Sequence, residues 1–233
     1  MKIVPETGHL IRLTRLGMVN CFLVREDRGF TLIDTNLPGS APAVLNAAAQ
    51  LKAPIRTIVL THAHFDHVAS LDTLCAALPG VEVCIGSREG RILSGDLSLQ
   101  NGESGRKLFG FVRVQCQPTR LLQDGDRIGS LVAVSSPGHT PGHLAFFDSR
   151  DGSLIAGDAF MTQIGVMVAG VLKLYFPFPW LFSWNREIAA ESARKLRALH
   201  PTRLAVGHGK TVTNPQAAMD RAIDLAFRQI GKQ

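Results

Sequence analysis

The segment at residues 61–67, THAHFDH, constrains the fold of this chain more than any other part of the sequence. It places three histidines and one aspartate within six positions, directly after a short apolar run at residues 57–60. Imidazole and carboxylate groups are ligands suited to zinc, iron or manganese. Because His62 and His64 are two residues apart, they cannot share one face of a helix. The spacing therefore predicts a metal-binding loop that follows a strand.

Three further segments repeat this arrangement of an apolar run followed by a polar residue. The runs VAVSSPGH, SLIAGD and RLAVGH end at His139, Asp158 and His208. Strands of an open sheet deliver the residues at their carboxyl ends to a common edge. We therefore expect these three side chains to meet those of the 61–67 segment. Five of the eight histidines of the chain fall in these four places, which favours one shared metal site.

Strands and helices alternate along both halves of the chain, which predicts an α/β protein. Strands are predicted at residues 9–16, 19–26, 30–35, 57–60, 81–86, near 126–135, 143–148, 153–157 and 203–206. Helices are predicted at residues 41–51, 66–77, 87–93, 185–199 and 215–230. Ser40 and Asn185 are expected to cap two of these helices. The Gly- and Ser-rich residues 94–115 indicate a surface connection.

The order and spacing of these motifs resemble those of the metallo-β-lactamase superfamily, in which HxHxDH is followed by a histidine, an aspartate and a histidine. The resemblance extends over about residues 20–210 of this sequence. It implies a four-layered αβ/βα sandwich, which agrees with the alternation of strands and helices. We accordingly expect residues 1–233 to form a single domain with this fold.

The resemblance also implies two divalent metal ions per chain, with zinc favoured and iron or manganese as alternatives. The implied ligands are His62, His64 and His139 for the first ion, Asp66, His67 and His208 for the second, and Asp158 as the bridge. Asp34 and His143 match positions that support the ligands without binding metal. Two metals lower the pKa of a bridging water to near neutral, so that hydroxide becomes the nucleophile. The implied catalytic residue is Asp66, which orients that hydroxide or passes a proton to the leaving group.

The segment at residues 160–184 gives the best indication of the substrate. It contains seven of the 15 aromatic residues of the chain and follows the implied bridging aspartate. An apolar loop over a metal site favours acyl chains or other hydrophobic groups. We predict that the pocket wall includes Met161, Met167, Tyr175, Phe178 and Trp180. A core, a lid or a homodimer interface made from the same residues is the alternative.

Together with the aromatic segment, the resemblance implies a hydrolase that uses a metal-bridging hydroxide to cleave a small ester, lactone or thioester with an apolar portion. The 25 residues after His208 provide one helix, whereas glyoxalase II-type thioesterases continue into a substrate-binding domain. Met161 stands where the best-known acyl-homoserine lactonases have a tyrosine. The alternatives are a mononuclear iron enzyme resembling persulfide dioxygenases, and a phosphodiesterase or nuclease of the same fold.

Composition narrows the choice of partner and compartment. The net charge of +6 arises from scattered lysines and arginines, so we expect a small-molecule substrate and no nucleic acid. The apolar stretch at residues 164–182 contains Pro177 and Pro179, which argues against a transmembrane span. The four cysteines lie far apart without a CxxC pair, and the N-terminus lacks the features of a signal peptide. We therefore expect structural cysteines and a cytoplasmic protein.

Overall fold

The computed structural model describes residues 1–231, which divide into two compact units. Unit 1 consists of Met1–Asp96 and Phe111–Leu122. Unit 2 consists of Leu97–Gly110 and the chain from Gln123 onward. Each unit contains its own β-sheet and its own helices, so both halves of the chain have the mixed α/β character that the sequence predicts.

Unit 1 is built on a seven-stranded sheet whose strands are neighbours in the order of the sequence. The strands are β1 (Lys2–Pro5), β2 (Leu10–Arg15), β3 (Val19–Glu26), β4 (Gly29–Ile33), β5 (Ile55–Leu60), β6 (Glu82–Gly86) and β7 (Arg120–Leu122). Pairing is antiparallel from β1 to β4 and parallel from β4 to β7. The helices are α1 (Ala41–Gln50), α2 (Phe65–Val68), α3 (Leu71–Ala77) and α4 (Ser87–Leu93). Parallel pairing places the carboxyl ends of β4, β5 and β6 at one edge of the sheet.

The turn between β3 and β4 shows why a glycine is needed there. Glu26 pairs with Gly29, so only two residues form the turn. Gly29 has a φ of +142°, and a Cβ atom at this position would lie 2.3 Å from the carbonyl oxygen of Pro54. A larger residue would therefore separate β4 from the chain that leads into β5.

Unit 2 is built on a six-stranded sheet and a separate two-stranded hairpin. The strands are β8 (Arg127–Ile128), β9 (Leu131–Ser135), β10 (Leu144–Asp148), β11 (Ser153–Ile155), β12 (Phe160–Met161), β13 (Met167–Val168), β14 (Arg203–Ala205) and β15 (Val212–Thr213). The six-stranded sheet has the order β15-β14-β11-β10-β9-β8, and β11 and β14 are parallel. The helices are α5 (Phe178–Leu181), α6 (Arg186–Arg197) and α7 (Gln216–Ile230). The core contains Phe160, Leu196 and Met219.

Most of the predicted elements are confirmed, and the differences have local causes. The predicted helix at residues 66–77 is wrong as a single element, because the chain forms the separate helices α2 and α3 there. The short strands β1, β7, β12, β13 and β15 were not predicted, because two to four residues carry too little periodicity. Ser40 precedes α1, but its hydroxyl makes no cap bond and instead accepts a hydrogen bond from Arg15. Among the described residues, no helix is long and apolar enough to cross a membrane.

The interpretation of the cysteines needs a correction. Cys75 on α3 and Cys116 form a disulfide across 41 residues of sequence, whereas Cys21 and Cys84 are buried free thiols. Cys75 is half-buried. The spacing in sequence gave no indication of the pair, because the fold of unit 1 brings residues 111–122 back beside α3.

Asn185 caps α6 as predicted, and its contribution to stability can be measured. Its Oδ1 accepts hydrogen bonds from the backbone N–H groups of Glu187 and Ile188, both at 3.0 Å. We expect Asn185→Ala to lower the free energy of unfolding by about 1 kcal/mol in urea titrations, because two N–H groups lose their acceptor. Asn185→Asp keeps the acceptor and should retain most of this stability. Equal losses in both variants would instead assign the effect to the bond that Asn185 Nδ2 donates to Ser104.

Candidate metal centre

The histidine-rich segment of unit 1 begins where β5 ends and continues into α2. His62 and His67 are fully buried, His64 is nearly so, and Asp66 is half-buried. The imidazole ring centroid of His62 lies 4.8 Å from that of His64 and 4.1 Å from that of His67. The structure therefore brings the three predicted imidazoles of this segment together at the sheet edge.

Asp34 fixes this segment from the neighbouring strand. It follows β4 directly, and its carboxylate accepts three hydrogen bonds of 2.8 Å, from the Thr61 backbone N–H, the Thr61 hydroxyl and His67 Nδ1. Asp34 has a φ of +60°, a conformation that aspartate tolerates better than most residues. Thr35 adds to this attachment, since its backbone N–H and its hydroxyl both donate to the carbonyl oxygen of His67.

These hydrogen bonds determine which ring nitrogen of each histidine carries the proton. His67 donates its Nδ1–H to Asp34, so its Nε2 carries the lone pair. The Thr61 hydroxyl uses its proton on Asp34, and the 2.9 Å contact with His62 therefore has the imidazole Nδ1–H as donor. His62 thus also has its lone pair on Nε2. A carboxylate that accepts the second N–H of an imidazole is the usual support of a metal-binding histidine.

Glu89 is a supporting residue that the sequence analysis missed. It lies on α4 and is fully buried, and its Oε2 accepts a hydrogen bond of 2.9 Å from the Ala63 backbone N–H, between His62 and His64. A buried carboxylate requires such donors. The position of α4 directly after β6, beside the end of β5, was the one available indication of this contact.

Unit 2 brings the other three candidate ligands together. Asp158 and His208 follow the parallel strands β11 and β14, and His139 follows β9. Asp158 Oδ2 lies 3.5 Å from His139 Nε2 and 3.2 Å from His208 Nε2. His139 and Asp158 are buried, and His208 is half-buried. One carboxylate oxygen therefore lies near two imidazole nitrogens.

His143 supports this group through the backbone. Its Nε2 accepts a hydrogen bond of 3.1 Å from the Asp158 backbone N–H, so its proton is on Nδ1. Nδ1–H donates a hydrogen bond of 2.9 Å to the hydroxyl oxygen of Ser136. His143 is fully buried, and it orients the chain at Asp158.

The start of α6 holds the loop that carries His139. The backbone N–H of Trp184 donates to the His139 carbonyl, and that of Asn185 donates to the Gly138 carbonyl. Gly138 has a φ of +130°, and a Cβ atom there would lie 2.3 Å from the backbone of Ala189. Glycine is therefore required for this close approach between the loop and the helix.

The five predicted substrate contacts differ in their exposure to solvent. Met161 and Met167 are buried partners in the β12–β13 hairpin. Tyr175 and Phe178 are 76% and 51% exposed. Trp180 is half-buried beneath the guanidinium group of Arg106, whose Cζ lies 3.8 Å from the centre of its ring. The aromatic segment thus presents an apolar surface on unit 2, and its role as a pocket wall stays a prediction.

The donor set fits the divalent metal ions that the sequence analysis implies. It consists of imidazole nitrogens and carboxylate oxygens, with the Nε2 lone pairs of His62 and His67 assigned by their hydrogen bonds. Such ligands suit zinc, iron and manganese.

Known proteins share this sequence pattern and fold. Residues 14–208 match the metallo-beta-lactamase superfamily. The uncharacterized protein YobT of Bacillus subtilis is 47% identical over 89% of this chain and 90% of its own length. A hydroxyacylglutathione hydrolase of Nostoc sp. is 31% identical over 90% of this chain and 72% of its own length. A di-iron-bound form of TTHA1623 is 29% identical, has a TM-score of 0.64, and matches 89% of this chain and 95% of its own. The predicted αβ/βα fold class is confirmed.

Glu89 provides a test of how the segment at residues 61–67 is held. We expect Glu89→Ala to weaken zinc binding by about 10- to 100-fold, because the Ala63 N–H loses its acceptor. Glu89→Gln keeps a carbonyl oxygen for the same bond and should lie close to the wild type. Competition with a chromophoric chelator measures both affinities. Wild-type zinc affinity in Glu89→Ala would contradict this role.

Proposed function

Since the chain belongs to the metallo-beta-lactamase superfamily and is a metal-dependent hydrolase, we propose that it cleaves a small ester, lactone or thioester with an apolar portion, using two metal ions. The observation that carries this proposal is the pair of ligand groups, one in each unit, at the carboxyl ends of strands. Each ligand group has a supporting side chain that fixes a histidine or an aspartate.

In this proposal residues 1–233 form a single domain that holds two metal ions. The proposed ligands are His62, His64 and His139 for one ion, Asp66, His67 and His208 for the other, and Asp158 as the bridge. The superfamily match supports the choice of these residues, because its range, residues 14–208, includes every one of them. Zinc is the favoured ion, and the di-iron form of TTHA1623 keeps iron as the alternative.

The ions, when bound, lower the pKa of a water molecule and polarise the oxygen of the scissile group. The side chains of the chain then have separate tasks. Asp34 and His143 keep the ligands in their orientations. Asp66, whose Oδ2 lies 3.9 Å from His67 Nε2, is the proposed catalytic residue. Its half-buried carboxylate accepts the proton of the attacking water and returns it to the leaving group.

The chemistry of unit 2 supports a substrate with an apolar portion. The exposed side chains of Tyr175 and Phe178, with the half-buried Trp180, offer aromatic surface to such a group. The similarity to a hydroxyacylglutathione hydrolase supports a thioester. A homodimer that covers the same segment is the competing interpretation, and the aromatic variants below distinguish the two.

The proposal is tested by counting metals and measuring hydrolysis on the same protein. We expect about two metal ions per chain and turnover of at least one member of a panel of S-acyl glutathiones, homoserine lactones and aryl esters. Asp158→Asn should lower the metal content and reduce kcat/KM by about 100-fold or more, because the bridging carboxylate is lost. Asp220→Asn, which removes an exposed partner of Arg197, is the matched control and should behave as the wild type.

Two results would contradict the proposal. One is a protein that carries two metals and hydrolyses no member of the panel. The other is an Asp158→Asn variant with wild-type metal content and activity.

Tyr175→Ala and Phe178→Ala should raise KM for long-chain substrates more than for short-chain ones. A change in oligomeric state without a change in KM would instead assign the segment to an interface.

A further inference from the structure

The side chain of Phe111 packs directly against a proposed metal ligand. Residues 111–122 belong to unit 1, and Phe111 forms an isolated β-bridge with His64. The centres of the two rings lie 4.6 Å apart, with 33° between the ring planes. The phenylalanine ring therefore restricts the orientation of the His64 imidazole.

Residues 111–117 depend on a few tethers for this position. Among the described residues, the chain between α4 and β7 contains no helix or extended strand. Cys116 is joined to Cys75 on α3 by the disulfide. Asp72, also on α3, accepts hydrogen bonds from the backbone N–H groups of Gln115 and Cys116, at 2.9 and 2.8 Å. The disulfide is the one covalent link among these tethers.

We propose that the Cys75–Cys116 disulfide holds Phe111 on His64, and that its reduction weakens metal binding, so that the activity of the site depends on redox state. Phe111 is a positioning residue in this scheme, since it acts through His64. The inference rests on the proposed function, because it takes His64 as a metal ligand.

The redox step is thiol–disulfide exchange with a dithiol reductant. A thiolate of the reductant attacks one sulfur of the disulfide, the Cys75–Cys116 bond breaks, and a mixed disulfide forms. The second thiol of the reductant resolves it, so two electrons and two protons reach the cysteines and the reductant becomes a disulfide. Cys75 and Cys116 are half-buried, which leaves room for this attack.

The two free cysteines do not compete in this exchange. Cys21 and Cys84 are buried, and burial raises the pKa of each thiol to about 12. The thiolate is the reactive form, so both remain protonated and unreactive near neutral pH. Alkylation of the reduced, folded protein should therefore label Cys75 and Cys116 alone.

Reduction leaves residues 111–117 attached by hydrogen bonds and by the buried Val114. These contacts can open locally, whereas a covalent link cannot. Phe111 then spends part of the time away from His64, and the imidazole gains freedom that metal binding must remove. We expect zinc affinity to fall by about 10-fold, in the range seen when a support of a metal ligand is lost.

The test compares zinc affinity in the oxidised protein and in protein that has been reduced, alkylated with iodoacetamide and desalted. Removal of the dithiol is essential because it binds zinc itself. We expect about 10-fold weaker binding after reduction and alkylation. Cys75→Ser/Cys116→Ser should give the same lower affinity whether or not it has first been reduced, alkylated and desalted. Unchanged affinity in the reduced wild type would overturn the proposal.

Phe111→Leu separates the effect of the ring from the effect of the disulfide. In the oxidised protein we expect it to bind zinc as weakly as the reduced wild type, whereas Phe111→Tyr should restore the affinity. Phe109→Leu, two residues earlier and exposed, is the matched control and should leave the affinity unchanged. Wild-type affinity in oxidised Phe111→Leu would overturn the role of Phe111.

A measurement without metal keeps the inference distinct from the proposed function. Arg113 is exposed between Phe111 and Cys116, and we expect trypsin to cleave there several-fold faster after reduction and alkylation. An unchanged cleavage rate would overturn the tether, even if the Ser variants fail to fold. A protein that binds no zinc in either state would overturn the proposed function, and with it the effect on metal binding.

Discussion

The hydrogen bonds to the carboxylate of Asp34 are the interactions on which the rest of the candidate centre depends. This carboxylate lies at the end of β4, beside the end of β5, and it accepts three hydrogen bonds from Thr61 and His67. Burial of an ionised carboxylate is costly unless donors surround it, so this position is stable only when the 61–67 segment has its observed path. The same bonds assign the proton of His62 and of His67 to Nδ1. One side chain thus determines both the path of the loop and the atoms that it offers to a metal.

In unit 2, hydrogen bonds from other groups likewise orient the candidate ligands. His143 accepts a hydrogen bond from the backbone N–H of Asp158, and the backbone N–H groups of Trp184 and Asn185, just before α6, donate to the carbonyls of His139 and Gly138. In each unit, parallel strands place candidate ligands at one edge, and a buried neighbour fixes their orientation. A ligand that is held before the metal arrives loses less conformational freedom on binding, which favours affinity. Phe111 restricts the orientation of His64 in the same way, through an apolar contact. In our proposal the disulfide makes that contact dependent on redox state.

The sequence predicted the parts of the fold that depend on local pattern. The apolar runs before His62, Asp158 and His208 are strands, and each ends two or three residues before the polar residue. The cap at Asn185 was predicted because capping depends on residues within one turn. Glu89 and the Cys75–Cys116 disulfide were not predicted, since both join residues that are distant in sequence. The local sequence pattern also did not predict that Tyr175 is exposed whereas Met161 is buried. The burial of Met161 depends on how the β12–β13 hairpin packs.

The proposed binding of two metal ions by seven side chains can be tested by anomalous diffraction from crystals of the zinc-loaded protein. We expect two peaks at the zinc edge. One should lie about 2.0–2.2 Å from nitrogens of His62, His64 and His139, and the other should lie as close to Asp66, His67 and His208. Asp158 should bind both ions. A single peak, or a pair of peaks that Asp158 does not contact, would contradict the proposed dinuclear site.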